Sequence, residues 1–146
     1  MRKLLFIIPL GLSLTAMSCS NNSKEISSSE KVTTVQQENE KIIKDINVTE
    51  FSELVVKGEG QVLDVRTPDE WASGTIKGAT KMNFFDKDFN AQLEKLDKTK
   101  PVYVYCKSGG RSGKATKQMK KMGFTAVYNL VGGIGAWDAA GKEKVK

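Results

Sequence analysis

The chain contains no histidine, two cysteines and three prolines in 146 residues. The missing imidazole removes the commonest metal ligand and the one side chain whose ordinary pKa lies near neutrality. No cluster of cysteine and carboxylate at ligand spacing replaces it, so no metal site is expected. Cys19 stands far from Cys106, which leaves the folded region no disulfide framework and Cys106 no neighbouring thiol. No apolar run approaches the roughly 20 residues of a membrane-spanning helix, and there is no internal repeat. Around Gly113-Lys114, Ser108 stands where a nucleotide-binding loop needs its first glycine and Ala115 where it needs a magnesium-binding hydroxyl. The interleaved aromatic and basic residues of a nucleic-acid surface are also missing, so no nucleic-acid partner is expected.

What is present begins with the amino terminus. Arg2 and Lys3 precede the apolar run Leu4 to Leu14, and Ala16-Met17-Ser18 precede Cys19. A basic start, a short apolar core and small residues before a cut predict a signal peptide over residues 1–18. Cleavage there would leave Cys19 first, an arrangement similar to that of bacterial lipoproteins, although Ala16 occupies a position where leucine is usual. Lipid on Cys19 would hold the chain to a membrane, each buried CH₂ contributing about 0.8 kcal/mol. The expected location is the cell envelope of a bacterium, on a periplasmic or outer-membrane face. Residues 20–44 are rich in Ser, Asn, Glu, Gln and Lys with scattered apolar positions. They read as a flexible tether, with a helical turn or two within Val35 to Lys44. Loss of residues 1–18 would leave 21 basic residues against 17 acidic ones, a net charge of +4.

From Asp45 the pattern becomes that of one globular domain, residues 45–146. Thr49 is placed to cap a helix over Glu50 to Lys57, ended by Gly58 and Gly60. Gln61 to Val65 reads as a buried strand. Thr67-Pro68-Asp69-Glu70 gives an N-cap, proline at the first helical position and glutamate at the third, a capping box. Ala79 to Met82 reads as a short strand and Phe89 to Leu96 as an amphipathic helix. Pro101 begins a strand running to Tyr105. A helix over Ser112 to Met122 is stopped by Gly123, a strand follows at Ala126 to Tyr128, and a last helix covers Ile134 to Ala140. Strands alternating with helices predict an α/β domain, a parallel sheet with helices on both faces. Ligands of such sheets gather at the carboxyl ends of the strands, where Cys106 falls.

The chemistry concentrates in Cys106-Lys107-Ser108-Gly109-Gly110-Arg111-Ser112, between the strand ending at Tyr105 and the next helix. Gly109 and Gly110 permit positive φ, so successive N–H groups of Lys107 to Arg111 turn inward as a nest for an anion. The helix N-terminus adds partial positive charge and Arg111 a full one. A thiol so placed falls from a pKa of about 8.5 into the range of roughly 3.5–7.5 and is a nucleophile at neutral pH. A buried structural cysteine is the plainer alternative, but an apolar pocket gives no reason for two glycines and an arginine within five residues. Cysteine phosphatases separate their cysteine and arginine by five residues, and here four intervene. The tighter ring suits something smaller than phosphate, such as one extra sulfur atom.

The loop resembles the Cys-x-x-Gly-x-Arg active site of the rhodanese (sulfurtransferase) family. Val62-Leu63-Asp64-Val65-Arg66-Thr67-Pro68-Asp69-Glu70-Trp71 is similar to that family's first signature, and Gly74-Thr75-Ile76-Lys77-Gly78-Ala79 to the segment after it. Asn129 to Trp137 is similar to its Gly-Gly-Ile-x-x-Trp element. Thr75 stands where many members have histidine. The resemblance covers residues 46 to about 141 and implies a rhodanese-like single domain. It further implies that Cys106 takes sulfur from a small anionic donor such as thiosulfate, holding it as a persulfide with no separate cofactor. Lys107, Ser108, Gly109, Gly110, Arg111 and Ser112 would bind the substrate. The sulfur would pass to cyanide or an external thiol acceptor, a small molecule or a thioredoxin-like protein. Sulfite is a good leaving group, so no general acid is required. A non-catalytic sulfur carrier or partner-binding module, and a cysteine phosphatase or arsenate reductase, are the competing classes.

Other residues carry double readings. Asp64, Arg66 and Glu70 read as a structural charge network beside the loop. Trp71 and Trp137 read as core, and Tyr105, Phe84 and Phe85 as either core or pocket mouth. Lys107, Arg111, Lys114, Lys117, Lys120 and Lys121 cluster around the loop and its helix, either as a solvated face or as a field that concentrates anionic donors.

Overall fold

A computed structural model describes residues 41–146. The expected signal peptide, Cys19 and most of the tether lie outside the described residues. Five parallel strands form one sheet in the order β1-β5-β4-β2-β3: β1 (Ile42–Ile46), β2 (Gln61–Asp64), β3 (Thr80–Lys81), β4 (Val102–Tyr105) and β5 (Ala126–Leu130). Five helices connect and cover them: α1 (Val48–Lys57), α2 (Pro68–Trp71), α3 (Phe89–Leu93), α4 (Gly110–Lys121) and α5 (Gly133–Ala139).

Strand periodicity divides the core between two faces. On one face Val102, Val104 and Cys106 pack with Leu63, Val65 and Val127 beneath Ala115 and Met119 of α4 and Phe89 and Leu93 of α3. On the other, Tyr103 and Tyr105 join Val62 and Leu130 under Phe51 of α1 and Trp137 of α5. Phe51 meets Tyr103, Tyr105 and Trp137 edge-on, with ring centroids 6.1, 6.4 and 6.2 Å apart. Burying each such large apolar side chain contributes about 1.5–3 kcal/mol. Every residue of β4 is buried, so the strand that carries the cysteine loop is the most enclosed one in the sheet.

The start of the domain differs from the expected Asp45. Residues 42–44, assigned to the tether from their polar setting, belong to β1, which pairs along its whole length with β5. Ile46 seals one face while Lys44 and Asp45 stay at the surface, the mixed pattern of an edge strand. Asn47 rather than Thr49 caps α1, its side chain accepting from the Glu50 N–H at 3.0 Å. Thr49 lies within the first turn, where its carbonyl accepts from the Ser52 hydroxyl. Gly58, at φ +69°, ends α1 as expected.

The charge network sits inside this frame. Asp64 and Arg66 are 0 % and 1 % exposed. The guanidinium donates to both Asp64 carboxylate oxygens, to the Glu70 carbonyl and, at 2.7 Å, to the Gly74 carbonyl. Tyr105, read as a possible pocket-mouth residue, is fully buried. Its hydroxyl donates to Asp64 at 2.7 Å and accepts from the Ile76 N–H. Burial, then the neighbouring Asp64 carboxylate, holds that phenol well above its ordinary range. A buried pair so fully hydrogen-bonded is costly to break, since removing one partner strands the other charge at about 3–5 kcal/mol. The pair ties the segment after β2 to β4, and so fixes the ground on which the cysteine loop stands.

Candidate active site

Cys106 follows the last residue of β4 at the carboxyl edge of the sheet. Gly109, at φ +96°, turns the chain into α4, and a Cβ there would press on the Gly132 nitrogen and the Leu130 carbonyl oxygen. The loop therefore needs glycine for conformation and for space. The Gly109 N–H donates to the Cys106 sulfur at 3.1 Å, and the Ser112 hydroxyl approaches it at 3.4 Å. Burial of the thiol alone would push its pKa up. The Ser112 hydroxyl, the Ser112 N–H and the N–H groups of Ser108 and Gly109 together outweigh burial, so the net displacement is downward. Of the donors expected from Lys107 to Arg111, the Gly109 N–H meets the sulfur, and the Ser112 hydroxyl joins it from α4. The sequence pattern places Ser112 at a helix start and among the substrate-binding residues; α4 begins two residues earlier, and the Ser112 hydroxyl lies against the sulfur itself.

The outer side of the loop is held by backbone alone. The N–H groups of Ile134 and Gly135 donate to the carbonyls of Cys106 and Lys107 at 2.8 and 3.2 Å. Gly133, at φ +57°, allows this approach: a Cβ there would collide with the Cys106 carbonyl oxygen and with the Lys107 backbone. The carbonyls face α5 and the N–H groups are left to face the sulfur. The Gly132-Gly133-Ile134 motif is thereby a mechanical part of the site.

Arg111 and Glu70 correct the expected network. The Arg111 fork grips the Glu70 carboxylate with two contacts of 2.7 Å, a bidentate geometry. The same carboxylate accepts from the Thr67 N–H and hydroxyl. Its pKa is lowered to about 2, chiefly by Arg111. Glu70 therefore meets Arg66 through its backbone carbonyl, while its carboxylate is gripped by the arginine of the cysteine loop. The guanidinium is held above its ordinary range by Glu70 and, less strongly, by Cys106. The pair with Glu70 uses two of its five N–H groups, so the guanidinium is fixed beside the loop with its charge and its remaining donors available to the thiol and to anions. Phe85, 66 % exposed, lies over Arg111 with the guanidinium carbon 5.7 Å from the ring centre. It is the one aromatic of the three that stands beside the site, since Phe84 packs against the core with Phe89.

Cys106 is 1 % exposed, so a reacting partner reaches the sulfur only through a small projecting atom. A cleft of about 370 Å³ lies on the outer side of the loop, toward α5, lined by Arg66, Glu70, Lys107, Ile134 and Asp138 among others. Thr75 is buried and bridges antiparallel to Val145, which gives it a structural place. Trp137 is core, whereas Trp71 is only half-buried. Among the described residues no group of three His, Cys, Asp or Glu is placed to hold a metal ion.

The rhodanese-like domain family model matches residues 47–140. The chain is 34 % identical over 110 residues to thiosulfate sulfurtransferase 16 of Arabidopsis thaliana, spanning 68 % of this chain and 91 % of that protein. It is 31 % identical over 129 residues to the tRNA uridine(34) hydroxylase of Pelagibacter ubique, covering 88 % of this chain and 36 % of that longer protein. Among solved structures, a rhodanese-related protein from Thermoplasma volcanium superposes with a TM-score of 0.63 at 27 % identity, over 70 % of this chain and 97 % of that one.

Removing the Ser112 hydroxyl deletes a hydrogen bond to a charged group, worth about 1.5–3 kcal/mol or one to two pKa units. Ser112→Ala is expected to raise the pH midpoint of iodoacetamide alkylation at Cys106 by about one unit, and Arg111→Ala to raise it less. The unsubstituted protein should show a midpoint below the roughly 8.5 of an unperturbed thiol. An unchanged midpoint in Ser112→Ala would mean that the backbone alone sets the thiol.

Proposed function

The chain belongs to the rhodanese-like domain family, and on that premise we propose that it is a sulfurtransferase that carries sulfane sulfur as a persulfide on Cys106. The observation that carries the reading is the loop ring that sets the Gly109 N–H and the Ser112 hydroxyl against a buried thiol whose pKa is displaced downward. A thiolate in that ring is nucleophilic, and the same donors suit the terminal sulfur anion of a persulfide.

In the first half-reaction the Cys106 thiolate attacks the outer sulfur of thiosulfate. A sulfur–sulfur bond forms to Cys106 as the bond to the sulfonate breaks, and sulfite leaves with the electron pair. Charge is conserved, and no proton need move. The exposed Lys107 and the charge of Arg111 favour the approach of the dianion. In the second half-reaction an external thiolate, or cyanide, attacks the terminal sulfur, and the electron pair of the breaking bond returns to Cys106. Cys106 is the only cysteine in residues 41–146, which is why the acceptor is taken to come from outside.

Thiosulfate-dependent release of thiocyanate from cyanide should be readily measured with the protein and should fall to background in Cys106→Ser. Turnover that survived that substitution would refute the assignment of Cys106. Absence of turnover from a protein whose Cys106 alkylates normally would favour a non-catalytic binding module.

The reading extends to location. Lipid on Cys19, with residues 20–40 as part of the tether, would hold this chemistry at a bacterial envelope membrane. Cys19→Ala should then move the protein from the detergent-requiring fraction to a soluble one without loss of thiocyanate production. Retention in the membrane fraction would exclude the lipid as the anchor.

A further inference from the structure

Every exposed side chain of α4 is a lysine: Lys114, Lys117, Lys120 and Lys121 face solvent while Ala115, Thr116 and Met119 face the sheet. The helix holds no acidic residue. Among the described residues none of the four lysines has a carboxylate partner. Glu94, which shares a surface hollow with Lys121, is engaged by Lys98. Like charges at i,i+3 and i,i+4 oppose helix formation, so this face weakens the helix that positions Ser112.

The lysines also have an arrangement. A groove of about 600 Å³ is lined by Lys41, Lys117, Lys120 and Lys121. Lys117 is shared with a second cleft, of about 460 Å³, that Lys114 lines together with Gly109 and Gly110 of the cysteine loop. The acid of that cleft, Asp45, is occupied by the Asn129 side-chain amide at 2.8 Å. A path of positive charge therefore runs along α4 and ends at the loop. From Lys114 to Lys121 it covers about 10 Å at 1.5 Å per residue, the length of about three extended residues. Thiosulfate would need no such length. A bilayer would be expected to draw on apolar side chains between the lysines, and among the described residues the groove is lined by lysines alone.

We propose that Lys41 and the lysine face of α4 are the docking site for an acidic segment of the protein that supplies the acceptor thiol, guiding that thiol to the Cys106 loop. This rests on the sulfurtransferase reading. The docked thiolate attacks the terminal sulfur of the Cys106 persulfide, the bond to the Cys106 sulfur breaks with its electron pair returning there, and the acceptor leaves as a persulfide.

The test uses the Cys19→Ser protein, so that Cys106 is the sole thiol. The protein is loaded with thiosulfate, freed of donor and checked by intact mass, and its discharge is timed with peptides of equal length containing one cysteine flanked by glutamate, by serine or by lysine. At low ionic strength the glutamate peptide should react about tenfold faster than the serine peptide, and the lysine peptide slowest. The preference should shrink as salt shortens the screening length to about 8 Å near 0.15 M. Combined Lys114→Gln, Lys117→Gln, Lys120→Gln and Lys121→Gln, which keeps good helix formers on exposed positions, should erase it while 2-mercaptoethanol discharges both proteins equally.

Equal rates for the peptides after successful loading, or a preference that survives the four substitutions, would overturn the docking site alone. Lysine-dependent binding to vesicles containing an anionic phospholipid, without any peptide preference, would overturn it in favour of a lipid surface. Failure to load would overturn the sulfurtransferase reading and the docking site with it, before any peptide is added.

Discussion

The approach of Gly133 to the carbonyl of Cys106 is the constraint on which the site depends. A strand leaving a parallel sheet has carbonyls and N–H groups that both seek partners. Here the first residues of α5 take the carbonyls of Cys106 and Lys107, and only a residue without a Cβ can stand where they meet. The following N–H groups are thereby turned toward the sulfur, and Gly109 closes the ring into α4. The polarity of the loop is set from outside it, by a turn more than 20 residues further along the chain.

Charge is arranged around this loop in layers with different tasks. The Asp64–Arg66 pair, roofed by Tyr105, is buried and saturated with hydrogen bonds. It acts as a joint between β2, β4 and the segment leading to β3. The Glu70–Arg111 pair is partly exposed and fixes the position of a cation beside the thiol. Outside both lie lysines with no partner among the described residues. The inner layer thus positions the strands, the middle one and the loop donors act on the thiol, and the outer one is the layer we propose to meet anionic partners.

Much of the fold could be read in the sequence, because strand burial and helix punctuation are local. Gly58 and Gly123, Pro68 after Thr67, and the apolar run before Cys106 each state their element directly. The first strand could not be read this way. Ile42 and Ile43 sit between charged residues, and what makes them a strand is pairing with β5, over 80 residues away. The cysteine and its glycines were equally legible, since an anion nest has a composition. The grip of Glu70 on Arg111 was not, for those residues lie 41 positions apart and their meeting is decided by the sheet order. The same holds for Tyr105, whose place at the end of a buried strand gives no sign that its hydroxyl would bind Asp64.

The persulfide mechanism requires that Cys106 take up sulfur. The most direct measurement is the intact mass of the purified Cys19→Ser protein before and after exposure to excess thiosulfate at neutral pH. The expected result is a gain of one sulfur atom, absent when Cys106 is also replaced by serine and reversed by cyanide. A mass that does not change under donor excess, in a protein whose Cys106 is still alkylated by iodoacetamide, would contradict the persulfide mechanism.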